Sequence, residues 1–192
     1  MIRSRAAGFA SRLSAALLLG LALFVSSFAV CAAQADVQAS ELRVKAAFLF
    51  KFGSYVEWPP ETFATATAPL SIGVVNADAL ADELASVTSG RSIHGRTVVV
   101  RKLRATEEPT DLSIVFVGAT NTRELKAMLS KLKGSGALVV TESARALELG
   151  SMINFVIVDG RLRFDVALGA VDSGGLKISS RLLAVARRVA KS

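Results

Sequence analysis

The stretch LSIVFVGATNTRELKAMLSKLKGSGALVVT, residues 112–141, decides the fold. It opens with the β-branched run 112–118 and closes with a second such run, 137–141, and both are nearly continuous in apolar residues. Between them, residues 121–133 have the pattern of an amphipathic helix. A strand, a helix and a strand in succession predict a parallel strand pair with the helix packed on the sheet, which is an α/β arrangement.

The same alternation extends in both directions along the chain. A second helical segment is predicted at 78–87, between strand-like runs. Four further runs of this kind lie at 70–75, 97–103, 152–158 and 161–167. The last two are joined by Asp159-Gly160, which predicts a tight hairpin and an antiparallel end to the sheet. The sequence therefore predicts an α/β fold with a single three-layer domain, in which a mixed, mostly parallel sheet of about six strands carries helices on both faces.

Amphipathic helices are predicted at both ends of this core. The first spans about 40–56, with Ser40 as its N-cap, and ends at or before Trp58, because Pro59 restricts Trp58 to an extended conformation. The last is predicted over 179–189. Its basic end suits the negative pole of the helix dipole.

The N-terminal 35 residues have the organisation of a secretory signal peptide. Three arginines precede an apolar run from Leu13 to Val30, and Ala33-Gln34-Ala35 follows as a cleavage site. We therefore expect a mature domain over 36–192 that is exported by a bacterium. Two alternatives stay open. The run of about 18 apolar residues is just long enough for a retained membrane anchor, and Cys31 is a site for a lipid anchor, although the bulky Val30 before it disfavours lipidation.

Composition excludes several classes of function. Removing residues 1–35 takes away three Arg and no acidic residue, which leaves 20 basic and 16 acidic residues and lowers the formal charge from +7 to +4. This small excess makes a weak electrostatic case for nucleic acid, and none is expected as a partner. Cys31 is the only cysteine and lies in the signal, so the mature chain cannot form an intramolecular disulfide.

The mature chain also lacks the residues that most catalytic and metal sites need. His94 is its only histidine and it has no cysteine, which excludes a Cys-His pair and a multi-histidine metal site. It contains no G-x-S-x-G, P-loop or strand-linked G-x-G-x-x-G motif. We therefore expect no enzymatic activity, no metal and no cofactor, although a hydrolase that would depend on His94 stays open as a third alternative.

Helix starts that follow strands leave one kind of site open. Asn121 lies three residues before Glu124, as in a capping box, and Ser143 is the predicted N-cap of a helix that Gly150 ends. Helix N-termini at neighbouring strand ends form crevices in which open α/β sheets bind ligands. Ordinary capping explains both starts, but a small-molecule crevice at Asn121, Thr141 and Ser143 stays a hypothesis.

Two long motifs together resemble the YfiR family of exported proteins. The first, VKAAFLFKFGSYVEWP at 44–59, is similar to the K-A-x-F-[IL]-x-x-F-x-x-[YF]-x-x-W-P segment that follows the family's signal peptide. The second, GSMINFVIVDGRLRFDVALGAVDSGGLKISSRLLAVA at 150–186, is similar to its G-x-M-I-x-[FL], R-[IV]-x-F-[ED]-[IV] and G-L-x-[IL]-S-S-x-L-L sequence. The chain departs from the family at Leu112-Ser113, where relatives often carry Cys-His, and at Ala167, where they commonly carry Asn.

The resemblance implies a periplasmic regulator and not an enzyme. Characterised family members bind the periplasmic sensor region of an inner-membrane diguanylate cyclase and hold it inactive, which lowers cyclic-di-GMP and biofilm formation. They form homodimers, and an outer-membrane lipoprotein can sequester them. The residues alone leave a second possibility, a periplasmic signalling protein that binds a small molecule.

Exposed members of the two motifs are the residues that we expect to contact the partner. They are Tyr55, Trp58, Arg163, Lys177 and Arg181. Trp58 is expected mainly to pack the end of the first helix against the sheet. A cation in the first turn of a helix is unfavourable, so Arg181 is expected either to pair with an acid such as Asp172 or to serve the partner.

Overall fold

The computed structural model describes residues 38–191. The body of the fold is a compact unit that begins at Leu42. The signal peptide predicted over 1–35, with its cleavage site and the two anchor alternatives, lies outside the described residues and stays a prediction. Within the described part of the chain, no helix has the length and apolar character needed to cross a membrane.

Helices and strands alternate along these residues much as predicted. The helices are α1 (38–55), α2 (Asp78–Thr88), α3 (Thr122–Leu132), α4 (Leu168–Ser173) and α5 (Ser180–Val185). The strands are β1 (Val56–Glu57), β2 (Leu70–Val75), β3 (Ser92–Ile93), β4 (Arg96–Leu103), β5 (Ile114–Val117), β6 (Leu138–Thr141), β7 (Ile153–Val158), β8 (Arg161–Ala167), β9 (Lys177–Ile178) and β10 (Arg188–Ala190). Every predicted strand is confirmed, as are α1, α2 and α3. Helix α1 already includes residue 38, however, so Ser40 lies within it and is not its N-cap.

Among the described residues, eight strands form one sheet in the order β10-β8-β7-β6-β5-β2-β4-β3. Neighbouring strands are parallel except in the β7–β8 and β3–β4 hairpins. The prediction of about six strands was too low, because β3 and β10 are only two and three residues long and their sequences contain no extended apolar run. The hairpin at Asp159-Gly160 is confirmed, with φ of 50° and 68° at the two turn residues.

Aromatic side chains fix α1 on one face of the sheet. Phe48 and Phe52 of α1 lie against Phe155 of β7 and Phe164 of β8, and Phe116 of β5 adjoins Phe155. The ring centroids are between 5.2 and 6.1 Å apart. Each such pair adds about 0.5–1.5 kcal/mol beyond the area that it buries.

Helix α3 covers the opposite face. Val140 of β6 pairs in register with Phe116, so the preceding Val139 points away from the aromatic cluster. Val139 lines one surface pocket together with Leu129 and Leu132 of α3. The sheet therefore carries helices on both faces, as predicted.

The C-terminal segment differs from the prediction. Helix α5 ends at Val185, and β10 then pairs in parallel with β8, so the helix predicted over 179–189 was too long. Arg187 donates from Nε to Asp165 of β8 at 2.8 Å and from Nη2 to the second carboxylate oxygen. This ion pair and the open edge of β8 hold the segment as a strand, so its basic residues do not complete a helix dipole.

Candidate functional site

The two motifs meet in space through a separate two-stranded sheet. Strand β1, from the first motif, pairs antiparallel with β9, from the second, and Val56 lies opposite Ile178. Segments far apart in the described part of the chain therefore form one surface. We call it the motif junction, which comprises residues 55–59 and 175–181.

Local sequence explains the shape of the motif junction. The N–H of Ser179 donates to the carbonyl of the half-buried Tyr55 at 2.9 Å and extends the strand pair. Gly175 has a φ of +73°, a left-handed conformation that favours glycine. A Cβ at Gly175 would lie 3.6 Å from Cγ of Pro59. The turn before β9 therefore lies close to the proline that follows β1.

Trp58 is mainly an anchor within the fold. Its side chain is half-buried, and its indole Nε1 donates to the carbonyl of Ser113, just before β5, at 3.1 Å. Its ring meets the ring of Phe63 edge-on at 6.3 Å between centroids. These contacts tie the motif junction to the central sheet, as expected for Trp58, whereas its contact with a partner stays a prediction.

Lys177 and Arg181 are exposed cations of the motif junction. Lys177 lies opposite Glu57 in the strand register. Ser179 caps α5 by accepting a hydrogen bond from the N–H of Arg181 at 3.3 Å. Within the described residues, the guanidinium of Arg181 forms no ion pair, with Asp172 or with any other acid. The expected alternative, contact with a partner, stays a prediction.

Arg163 lies elsewhere, on the β7–β8 hairpin, opposite Val156. The next residue, Phe164, points into the aromatic cluster, so the exposed side chain of Arg163 projects from the other face. The two segments of the motif junction thus contain four of the five predicted contact residues, and Arg163 belongs to a different element.

A cavity of about 500 Å³ opens beside the motif junction. Its wall includes Val56 and Trp58 from the motif junction and Ile93 and His94 from the β3–β4 hairpin. His94 is exposed, with a φ of 51°, at the tip of that hairpin. A turn position accounts for this histidine, as expected for a solvated loop residue.

Arg96 forms another part of the cavity wall and holds the neighbouring loop. Its guanidinium carbon lies 3.8 Å from the centroid of the Phe63 ring. Its Nη1 donates to the carbonyls of Thr65 at 3.0 Å and Ala68 at 2.7 Å. Sequence reasoning missed this residue, because nothing in the pattern of β4 distinguishes it from a solvated arginine.

The three residues of the predicted crevice have different roles. Asn121 accepts a hydrogen bond from the N–H of Glu124 at 3.0 Å and caps α3, which confirms the predicted cap. Thr141 donates to Oδ1 of Asn154 at 2.7 Å, and the N–H of Ser143 donates to the same oxygen at 3.1 Å. Thr141 and Ser143 are therefore joined through Asn154, a polar residue whose position within an apolar run is a signal that sequence reasoning overlooked.

The helix predicted after Ser143 was wrong. The side chain of Asn154 holds the backbone N–H of Ser143, and only a 3-10 turn, Leu147–Leu149, follows before Gly150 ends it with a φ of 109°. The hydroxyl of Ser143 is buried and has no hydrogen-bond partner within the described residues. The hydroxyl of Ser143 is therefore uncommitted among the described residues, whereas that of Thr141 is already bonded.

A largely buried ion pair links α1 to the C-terminal end of β6, where Thr141 and Ser143 lie. Lys45 of α1 forms a salt bridge with Glu142, and their side chains are 11% and 19% exposed. The other carboxylate oxygen of Glu142 accepts from the N–H of Ala119 at 3.1 Å. Glu142 therefore ties the first motif to the loop between β5 and α3.

Side chains at the start of α3 also lower the pKa of an acidic residue, Glu124. The Thr120 hydroxyl donates to the carboxylate of Glu124 and lowers the pKa of that carboxyl, and the side chain of Asn121 lowers it further.

Over the residues that the structure describes, no group of His, Cys, Asp and Glu side chains is arranged to hold a metal ion.

Two solved structures show low similarity to this chain. A conserved domain protein from Vibrio cholerae O1 biovar eltor is 15% identical, over 62% of this chain and 54% of its own, with a TM-score of 0.48. The ABC domain from Streptococcus pneumonia in complex with L-Trp is 13% identical, over 63% and 55%, with a TM-score of 0.48. The matched region spans about half the length of these two chains, and similarity this low carries no functional argument.

The comparison with protein families covers far more of the chain. A family model described as YfiR/HmsC-like matches residues 42–187. This range includes nine of the ten described strands and both segments of the motif junction. The chain therefore belongs to the YfiR/HmsC-like family.

Proposed function

We propose that the mature chain is a periplasmic protein that binds the periplasmic sensor region of an inner-membrane diguanylate cyclase and inhibits it, which lowers cyclic-di-GMP and biofilm formation. Family membership supports a periplasmic regulatory role in cyclic-di-GMP signalling over a catalytic one. By the same resemblance, the protein forms a homodimer, and an outer-membrane lipoprotein is a second partner that sequesters it. Light scattering on the purified mature chain tests the dimer.

The observation that carries the proposal is the pairing of β1 with β9. Two motifs from opposite ends of the chain build one surface there. Its exposed cations Lys177 and Arg181 form no ion pair among the described residues, although Lys177 lies opposite Glu57 in the strand register. Cations at the rim of an interface steer an acidic partner into place and set the specificity of binding. Tyr55 and Trp58 add aromatic surface beside them, and aromatic residues are enriched in interfaces.

A genetic experiment tests this function. Deleting the gene should raise cellular cyclic-di-GMP, and the wild-type gene should lower it again. A Lys177→Glu, Arg181→Glu double variant should fail to restore the low level. The matched control is Lys126→Glu, Lys133→Glu, at exposed positions of α3 and its C-cap, which should restore it. An unchanged cyclic-di-GMP level after deletion, with no membrane cyclase co-purifying, would contradict the proposal.

One observation favours a second candidate, a periplasmic signalling protein that binds a small molecule. The buried Ser143 hydroxyl lacks a partner within the described residues, and Asn121 lies at the predicted crevice. A ligand at 100 times its Kd would stabilise the protein by about 2.7 kcal/mol. A thermal-shift screen tests this candidate. A shift that disappears in Ser143→Ala, without cyclase binding, would support it, and the lack of any shift would count against it.

A further inference from the structure

The cavity beside the motif junction is suited to an apolar side chain. The rings of Trp58 and Phe63 and the buried side chain of Ile93 all contribute to its wall. Its volume of about 500 Å³ lies within the usual range for ligand pockets, about 300–1,000 Å³. One large apolar group with a polar neighbour can therefore be buried there.

Arg96 places in the cavity wall a cation that forms no ion pair among the described residues. Its half-buried guanidinium stacks on Phe63 and donates only to neutral carbonyls. No carboxylate pairs with it in the described part of the chain. The acid in the wall, Glu57, lies opposite Lys177 in the strand register, so a cation also adjoins it. Because a half-buried charge is poorly screened by water, this wall favours an incoming carboxylate.

The strands that border the cavity favour an extended peptide over a compact small molecule. Strand β3 is the terminal strand of the eight-stranded sheet, and β1 has one strand neighbour, so each has an edge without a strand partner among the described residues. Both strands contribute to the cavity wall, through Ile93 and through Val56 and Glu57. Unpaired backbone groups at strand edges bind extended chains by adding a strand.

We propose that the cavity between β1 and β3 receives an extended segment of the partner protein, with an apolar side chain beside Trp58 and Phe63 and a neighbouring carboxylate paired with Arg96. The inference rests on the proposed function, because the membrane cyclase is the partner that supplies the segment.

The first test fills the cavity. Ala64 lines it and is exposed, so Ala64→Trp occupies the space without disturbing the core. Ala127→Trp, on an exposed position of α3, is the matched control. Calorimetry with the purified periplasmic region of the cyclase should show affinity at least about tenfold weaker for Ala64→Trp, as at an interface hot spot, and unchanged for Ala127→Trp.

The second test isolates the ion pair with overlapping peptides that span the periplasmic region of the cyclase. The tightest peptide should carry an apolar residue beside Asp or Glu. Replacing that acid with its amide should weaken binding to the wild type but not to Arg96→Gln. A double-mutant cycle of this kind separates the ion pair from any change in the loop that Arg96 holds.

The outcomes distinguish a failure of the proposed function from a failure of the proposed docking cavity. If the periplasmic region binds the wild type and Ala64→Trp equally well, the cavity is not the docking site, and the proposed function stands. If the periplasmic region of the cyclase does not bind the wild type, the proposed function fails. The proposal that a cyclase segment enters the cavity then fails as well. Binding that needs no acid in the peptide overturns the pairing with Arg96, and a thermal shift with benzoate but with no peptide shows a small-molecule site instead.

Discussion

The Asp165 carboxylate of β8 accepts a bidentate pair of hydrogen bonds from the Arg187 guanidinium. The side chain of Asp165 is 4% exposed and that of Arg187 is 41% exposed, so the contact joins a buried acid to a residue at the surface. The hydrogen bond with Asp165 is the main cause of a raised pKa for Arg187. One buried carboxylate therefore determines where the chain turns from α5 into β10.

Removing Arg187, the partner of Asp165, should lower the free energy of unfolding. Arg187→Ala leaves Asp165 buried without its main counterion. The decrease should be smaller than the loss of a fully buried pair would cause, because the arginine is partly solvated. Arg188→Ala is the matched control, since its Nε lies 3.6 Å from the same carboxylate on a side chain that is 62% exposed. It should cost less than about 0.5 kcal/mol. Urea unfolding compares the two, and equal costs would contradict the assignment.

Apolar periodicity was enough to predict the main sheet and three of the helices. The runs that became β2 and β4 to β8 are long and rich in β-branched residues, and the strands that were missed are not. Strand β10 forms because Arg187 reaches Asp165, two positions that lie 22 residues apart, and no local pattern carries that information. The helix expected after Ser143 did not form, and the backbone of Ser143 is instead held by Asn154, a contact 11 residues away that no local pattern reveals.

The sequence predicted the segments that form the candidate site but not how they come together in space. The two motifs identified the segments around Tyr55 and Lys177 as candidates, but the pairing of β1 with β9 is a tertiary contact between two-residue strands. The cavity depends on how Arg96 holds its loop, which sequence patterns do not reveal. A lysine among the apolar residues of α1, Lys45, was a usable signal of the salt bridge with Glu142.

Trp58→Phe should cost little stability and preserve cyclase binding. The change removes the bond from the indole Nε1 to the Ser113 carbonyl, but that carbonyl still accepts from the N–H of Leu138 at 2.9 Å. The expected loss is about 0.5–1.5 kcal/mol, the net value of one hydrogen bond. Trp58→Ala also removes the ring packed against Phe63 and should cost more. Binding should be preserved because Phe keeps an aromatic ring at this position. Thermal unfolding and calorimetry check both variants, and a well-folded Trp58→Phe protein that no longer binds would show that the partner contacts the indole itself.

The pKa of Glu124 should respond to Thr120. The Thr120 hydroxyl is the main cause that holds it below the ordinary value of 4.5. A lowered pKa in the folded state contributes stability that is fully present above the unfolded value and is lost as the pH falls through the folded value. Thr120→Ala should therefore raise the pKa of Glu124 and reduce the loss of stability on acidification below pH 4.5. Carboxyl NMR titration measures this, with Ser130→Ala near the other end of α3 as the control. An unchanged pKa would contradict it.

Asn154 and Ser143 should differ sharply as sites of mutation, although both are buried. Asn154→Ala removes the oxygen that accepts from the backbone N–H of Ser143 and from the Thr141 hydroxyl. Thr141 retains an alternative in the carbonyl of Ile153, at 3.3 Å, so the backbone N–H is the group left without a partner. Leaving one buried donor without a hydrogen-bond partner costs about 1–3 kcal/mol, and urea unfolding should show a decrease of that size in the free energy of unfolding.

Ser143→Ala is the matched control and should change stability by less than about 0.5 kcal/mol, because the hydroxyl it removes has no bond to lose within the described residues. The two variants also separate structure from binding. If Ser143→Ala folds as the wild type does and a ligand-induced thermal shift disappears, the hydroxyl belongs to a binding site. A loss of stability equal to that of Asn154→Ala would show instead that the hydroxyl contributes to the fold, and that the crevice has no uncommitted group with which to hold a ligand.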